Sequence, residues 1–251
     1  MSRVLLRTRG LVKAFGAIKV AQDINFTLKA GQFDALIGPN GAGKSTFVNL
    51  LTGMIQPDAG TIELAGKPVT HLAPHARVKL GLVRSFQINS LFAGLSVLEN
   101  LRLALDEYNG QAWLLLPQAS QRRRNDAEAM IILDRVGLTG EAHGTVGSLP
   151  YGKQRLVEIA LALALRPKVL LLDEPAAGVP STETHRIISV LASLSKEMAV
   201  LIIEHDMDLV FRFAQQINVL VQGTIVARGT AAEIRGNALV REIYLGSQAR
   251  G

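Results

Sequence analysis

The 251-residue sequence contains no cysteine, which excludes a disulfide frame and any thiolate zinc site. Nor does it contain a long apolar run. The most apolar helical stretch, Leu156–Leu165, carries Glu158 and is too short to span a bilayer. The opening MSRVLLRTRG lacks the apolar centre of a signal peptide. Basic residues are dispersed apart from Arg122–Arg124, so the net charge of +6 makes no stripe for nucleic acid. It reads as a solvated basic surface or a face toward anionic lipid. Internal repeats and low-complexity linkers are absent as well. What remains is a globular composition, 48% hydrophobic and 19% charged, rather apolar for a protein that meets only water. The expectation is one large domain, or a domain with a subdomain, in the cytosol and docked to a membrane component.

The richest stretch is GPNGAGKST, Gly38–Thr46. Gly38, Gly43, Lys44 and Ser45 satisfy the spacing of a phosphate loop. A polyphosphate requires several backbone N–H groups at close range, and side chains at Gly41 and Gly43 would obstruct its approach. Pro39, Asn40, Ala42 and Thr46 belong to the same cradle. Lys44 is placed to reach the β- and γ-phosphates, and the Ser45 hydroxyl to hold Mg²⁺. Phe33–Ile37 reads as the strand before the loop, and Ser45–Leu51 as an amphipathic helix closed by Gly53.

Around this loop the chain predicts both sheet types. Val4–Arg9 and Ile24–Leu28 alternate as an antiparallel pair with Phe15-Gly16 at the turn; the Phe15 ring either stacks on a purine or packs the hairpin. Thr61–Leu64 is a further strand, and Val83–Gln87 a short apolar segment ending in an amide. Ser96 and Glu99 form a capping box that opens a helix to about Glu107. Helical spacing resumes over Asp126–Val136. Between them, Trp113–Leu116 is an apolar loop, either tucked into the core or offered to a partner.

Val169–Leu172 reads as a strand buried on both faces of a parallel sheet. Asp173 and Glu174 stand at its carboxyl end, where such sheets present ligands. Asp173 suits a Mg²⁺-orienting role through water, and Glu174 the activation of an attacking water. Ala199–Ile203 is a second buried strand, and it delivers His205 to the same edge for contact with the γ-phosphate. Ile217–Leu220 and Thr224–Ala227 form a hairpin through Gln222-Gly223, and the Thr230/Glu233 capping box opens a helical tail.

With these residues in order, nearly the whole chain resembles the nucleotide-binding subunit of an ABC transporter. Gln87 matches the glutamine-loop residue, Leu149–Gln154 (LPYGKQ) the signature, Leu170–Pro175 (LLLDEP) the second Walker motif, and His205 the switch histidine. RSFQ at Arg84–Gln87, YGKQ at Tyr151–Gln154, EPAAG at Glu174–Gly178 and the closing Tyr244-Leu245-Gly246 resemble the branched-chain amino-acid uptake ATPases. The resemblance implies an α/β P-loop NTPase spanning 1–251, with an antiparallel β subdomain, a helical signature subdomain at about 88–165 and a helical tail at about 230–246. It implies ATP and Mg²⁺ as ligands, Gln87 as a sensor of Mg²⁺ and the attacking water, and Phe15 as the adenine-stacking ring. It also implies a head-to-tail dimer, homo or hetero, in which Tyr151, Gly152 and Gln154 complete the partner's ATP site. Two membrane permeases and a periplasmic solute-binding protein would complete an importer, with this chain on the cytoplasmic face of a bacterial inner membrane.

Two positions depart from the family pattern. Pro150 stands where the signature usually has Ser, and Val179-Pro180 follow EPAAG where Leu and Asn or Asp are usual. Three functions remain open from sequence. They are an ATPase driving uptake of amino acids or of another small solute such as an amide or urea, a soluble ABC protein, and a P-loop kinase.

Overall fold

The computed structural model describes residues 3–85, 91–111, 119–175, 177–194 and 198–248. Gln87 and Trp113–Leu116 lie outside the described residues.

The first sheet is antiparallel. Strands β1 (Val4–Phe15), β2 (Ile18–Lys29), β4 (Ala59–Leu64) and β5 (Lys67–Pro68) lie in the order β2-β1-β4-β5. Both β1 and β2 are longer than their alternation suggests. The β1–β2 pairing shifts register between Thr8 and Leu11 and again between Leu11 and Ala14, and each shift interrupts the period-2 signal. The turn is where the sequence puts it, at Gly16 with φ of 58°.

The second sheet forms around β3 (Phe33–Ile37), in the order β10-β9-β3-β8-β7-β6. Its members are β6 (Leu82–Arg84), β7 (Val169–Asp173), β8 (Ala199–Ile203), β9 (Gln216–Val221) and β10 (Thr224–Gly229). All pairs are parallel except β9 with β10. The unbroken apolar runs of β3, β7 and β8 follow from burial on both faces. Phe33, Ala35 and Ile37 point into one core with Leu170, Leu172, Val200 and Ile202. Leu36 points into the other with Leu171, Leu201 and the buried faces of β1 and β2.

Helix α1 (Lys44–Thr52) joins the core beneath the antiparallel sheet through Phe47, Val48, Leu50 and Leu51. On the opposite face lie α3 (Val97–Tyr108), α4 (Ala119–Val136), α5 (Tyr151–Ala164) and α6 (Ser181–Leu194). The short α2 (Pro74–Lys79) precedes β6, α7 (Met207–Phe213) follows β8, and α8 (Ala231–Gly236) and α9 (Ala238–Gln248) end the described chain. Helix α4 begins seven residues before the apolar spacing does, because its first two turns, ASQRRRN, are polar and largely solvent-facing. No described helix is long and apolar enough to cross a membrane.

One basic residue departs from the solvated surface expected of it. Arg77 of α2 is fully buried and donates to the carbonyls of Leu50, Leu51, Thr70 and Leu72 at 2.6–3.0 Å. Two of these are end carbonyls of α1, that of Leu50 accepting also from the C-cap Gly53 N–H. The guanidinium satisfies them and complements the negative end of the helix dipole. It thereby anchors the helix that carries the phosphate loop.

Candidate functional site

The register of the parallel strands brings three loop starts level. Ile203 of β8 is opposite both Leu36 of β3 and Asp173 of β7. The loop Gly38–Gly43, the pair Asp173-Glu174 and His205 therefore emerge along one edge of the sheet. The loop and the carboxylate pair border a cleft of about 290 Å³ lined by Val20, residues 40–46, Asp173, Glu174 and Ile203, while His205 reaches it only through Glu174.

The loop's shape depends on glycine at two positions. Gly43 precedes α1 in a left-handed conformation, φ 102°, and a Cβ there would come within 2.6 Å of the Val20 carbonyl. At Gly38 a Cβ would collide with the carbonyl of Leu220. No side chain caps α1, and its first turn has no acidic residue, so its leading N–H groups face the cleft without a built-in anion. Lys44 Nζ donates to the carbonyls of Gly38 (2.6 Å) and Pro39 (3.1 Å). Burial pushes its ammonium below the ordinary lysine range, while the carboxylates of Glu174 and Asp173 pull it back.

Glu174 has φ of 46°, a left-handed backbone that a non-glycine residue rarely adopts. Its N–H donates to Ile203 O at 2.9 Å and its carbonyl accepts from Ala177, so both neighbouring segments hold the turn. Its carboxylate Oε1 lies 3.5 Å from His205 Nδ1, and both side chains are open to solvent. Ser45 and Asp173 face the same cleft. Among the described residues no group of three or more His, Cys, Asp or Glu could by itself hold a metal. One hydroxyl and one carboxylate fit Mg²⁺ that arrives with phosphate oxygens and its own water.

Phe15 is 50% exposed at the end of the β1–β2 hairpin, with Lys13 Nζ 5.5 Å from the ring centroid. The ring does not pack the hairpin core, which leaves it available for stacking. Tyr151, Gly152 and Gln154 are not among the residues lining the cleft. They open α5. The Tyr151 ring lies against Gly178 and under the Arg155 guanidinium (5.2 Å), and Gln154 donates to Leu149 O at 2.9 Å. A Cβ on Gly152 would collide with the Glu183 carboxylate of α6. Pro150 is the N-cap residue of α5 and provides no side-chain cap.

Sequence motifs missed one arrangement that touches the site. Arg84 at the end of β6 donates to Asp173 Oδ2 and to Asn49 Oδ1 of α1, each at 2.8 Å. No spacing signal links residues 35 and 89 positions apart.

A family profile described as "ABC transporter" matches residues 21–177, from β2 to the turn after Glu174. The chain belongs to the ABC transporter family. It is 40% identical over 253 residues to the high-affinity branched-chain amino acid transport ATP-binding protein BraF of Pseudomonas aeruginosa, covering 98% of this chain and 99% of BraF. The ADP conformation of MJ1267, an ATP-binding cassette of an ABC transporter, superimposes with a TM-score of 0.83 at 30% identity, over 97% of this chain and 99% of that one. A dimeric post-hydrolysis state of the cassette MJ0796, bound to ADP and Pi, superimposes with a TM-score of 0.72 at 25% identity, over 90% and 99% of the two chains. This ABC cassette is thus a nucleotide-binding α/β ATPase of the kind that works with membrane permeases.

Proposed function

We propose that this chain is the ATP-hydrolysing subunit of an importer for branched-chain or other hydrophobic amino acids, working at the cytoplasmic face of a bacterial inner membrane. The observation that carries this reading is the placement of Asp173 and Glu174 on the phosphate-loop cleft, with His205 3.5 Å from the Glu174 carboxylate. The loop N–H groups and Lys44 bind the β- and γ-phosphates, and Lys44 exchanges its two carbonyl partners for phosphate oxygens. Glu174 accepts a proton from the water that attacks the γ-phosphorus, the bond to the β–γ bridging oxygen breaks, and ADP and phosphate leave. His205, within reach of Glu174, donates to the γ-phosphate. Ser45 would hold Mg²⁺, with Asp173 orienting it through water and Gln87 sensing it; when bound, the ion would supply charge neutralisation at the phosphoryl group. Phe15 stacks on adenine.

Tyr151, Gly152 and Gln154 serve a second ATPase subunit, because they open a helix that has no side-chain cap and lie outside their own chain's cleft. The surface following Gln87, with Trp113–Leu116, docks on the permeases. An apolar cleft of about 280 Å³ lined by Thr52, Met54, Pro74, Val78, Leu82, Arg84 and Ser85 lies where the chain leaves β6 toward that surface. Phe92 is exposed beyond Gln87, whereas Leu91 packs against the core.

Glu174→Gln tests the chemistry. It is expected to keep ATP binding while hydrolysis falls by about 10²-fold or more. Lys44→Ala is expected to weaken ATP binding itself. Near-normal turnover in Glu174→Gln would remove Glu174 as the base. The solute is tested by co-purifying the membrane complex and measuring ATPase stimulation by binding protein loaded with leucine, isoleucine or valine, against an amide or urea.

A further inference from the structure

We infer that Arg84 is a positioning residue for the metal-facing carboxylate of Asp173, and that Asn49 holds Arg84 in place for it. The inference rests on the proposed role of Asp173. Three elements meet at one guanidinium. Arg84 closes β6, Asp173 closes the neighbouring parallel strand β7, and Asn49 lies on α1, the helix that begins at the phosphate loop. One terminal nitrogen of Arg84 donates to Asn49 Oδ1 and the other to Asp173 Oδ2, both at 2.8 Å. The backbone beside it is pinned too, because Ser85 N–H donates to Leu171 O at 2.9 Å.

The planar guanidinium makes this more than a charge contact. Its donors are fixed in one fork, so two acceptors on different elements define where the plane lies. A carboxylate with one oxygen held by a short charge-assisted bond has lost rotation about its last torsion. Its other oxygen then points in one direction. Mg²⁺ demands near-ideal octahedral geometry, so a fixed acceptor direction has direct value to it.

Two effects of Arg84 on a cation oppose each other. Its charge repels the ion, and its hydrogen bond orients the ligand. The pair is partly solvent-exposed, at 25% and 14% for the two side chains, so water and salt screen the repulsion that reaches the ion. Loss of an outer-shell partner to a metal ligand usually costs about 10- to 100-fold in metal affinity or activity. Orientation therefore outweighs repulsion, and removing Arg84 weakens the metal-dependent step.

The test uses the full chain with Arg84→Ala, Arg84→Lys, Asn49→Ala, Asp173→Asn and the Arg84→Ala/Asp173→Asn double variant. ADP affinity is measured by displacement of a fluorescent nucleotide, in EDTA and across a Mg²⁺ titration. Hydrolysis is measured against Mg²⁺ in parallel. For Arg84→Ala the expected result is unchanged ADP affinity in EDTA, and a Mg²⁺ midpoint raised about tenfold in both assays. Saturating Mg²⁺ should recover most of kcat. Arg84→Lys has one donor centre in place of the fork and is expected between wild type and Arg84→Ala. Asn49→Ala should shift the midpoint in the same direction by less, and it keeps the question answerable if Arg84→Ala fails to fold. In the Asp173→Asn background, Arg84→Ala should add nothing. A lowered melting temperature with an unmoved Mg²⁺ midpoint overturns the inference and leaves an ordinary structural ion pair. Equal shifts with and without Asp173 also overturn it, by showing that Arg84 acts elsewhere. If Asp173→Asn itself leaves the Mg²⁺ midpoint untouched, the metal role of Asp173 fails, a result distinct from failure of Arg84 alone.

Discussion

The phosphate loop and the start of α5 both turn a helix N-terminus outward, yet they are supported differently. The loop is complete within one chain. Gly38 and Gly43 fit against neighbouring backbone, Lys44 is held by two carbonyls, and Arg77 secures the far end of α1. The start of α5 has intrachain packing on its flanks, through Tyr151 against Gly178 and Gly152 against Glu183, but nothing at its tip. Other helices of the same chain show what a finished tip looks like. Helices α3 and α8 open with full capping boxes, Ser96/Glu99 and Thr230/Glu233, and Asp206 caps α7. Neither α1 nor α5 has a side-chain cap or an acidic residue in its first turn. The short α2 is uncapped too, but opens on Pro74; the uncapped tips of α1 and α5 are those to which a nucleotide's phosphates are assigned, one on each subunit.

The strongest way to break this comparison is Gly152→Asp in the assembled transporter. It is expected to abolish ATP-driven dimer closure and lower turnover by at least about 100-fold, because a carboxylate would face the partner's γ-phosphate. A Cβ there also collides with Glu183, so Gly152→Asp/Glu183→Ala separates the causes. Closure that stays lost in the double variant assigns the effect to the anion. Closure that returns assigns it to α5–α6 packing, and the tip would lose its proposed role.

Pro150→Ser is expected to have a smaller effect. Serine would add a cap hydroxyl, a hydrogen bond to a charged group worth about 1.5–3 kcal/mol, so closure should tighten roughly tenfold or more. ATP turnover per complex and the ATP concentration for half-closure are the readouts. If both stay unchanged while Gly152→Asp is inactive, the backbone amides of α5 suffice.

The smallest effect concerns the floor of the phosphate-loop half. Asp34 on β3 is fully buried, neither carboxylate oxygen accepts a hydrogen bond, and Arg228 of β10 lies 3.7 Å away. Burial raises its pKa to about 7, against the pull of Arg228 and Lys29. The folded chain then holds this proton more tightly than the unfolded one. The stabilising contribution is complete below the unfolded value near 4 and is lost as pH rises through about 7. Asp34→Asn is expected to raise stability at pH 8 by on the order of 1–4 kcal/mol, and by clearly less at pH 5, where only part of the proton's contribution has been lost. Arg228 keeps its bond to Thr27 O and its access to water. Denaturant unfolding at the two pH values decides it; equal shifts at both would reject the protonation account.

What the sequence made legible was local. The phosphate loop, the LLLDEP strand and its carboxylates, His205 and both capping boxes are short-range patterns whose physics acts over a few residues, and each is where the spacing puts it. The residues it hid act between elements. Arg77 reads as one more surface cation until it is seen capping a helix whose end lies 26 positions earlier, and Asp34 is an odd letter in an apolar strand. Arg84 was legible only as part of a family motif, and its acceptors on α1 and β7 came from the fold. Strand ends blurred for a related reason, since the register shifts of β1 break the alternation that would have revealed its length.

The left-handed backbone at Glu174 has an evolutionary side. A non-glycine residue in that conformation costs about 1–2 kcal/mol, and glycine would recover much of it. At this position, strain can be released only by giving up the proposed base. In a lineage released from the need to hydrolyse ATP, drift and selection for stability would push this site the same way, toward glycine.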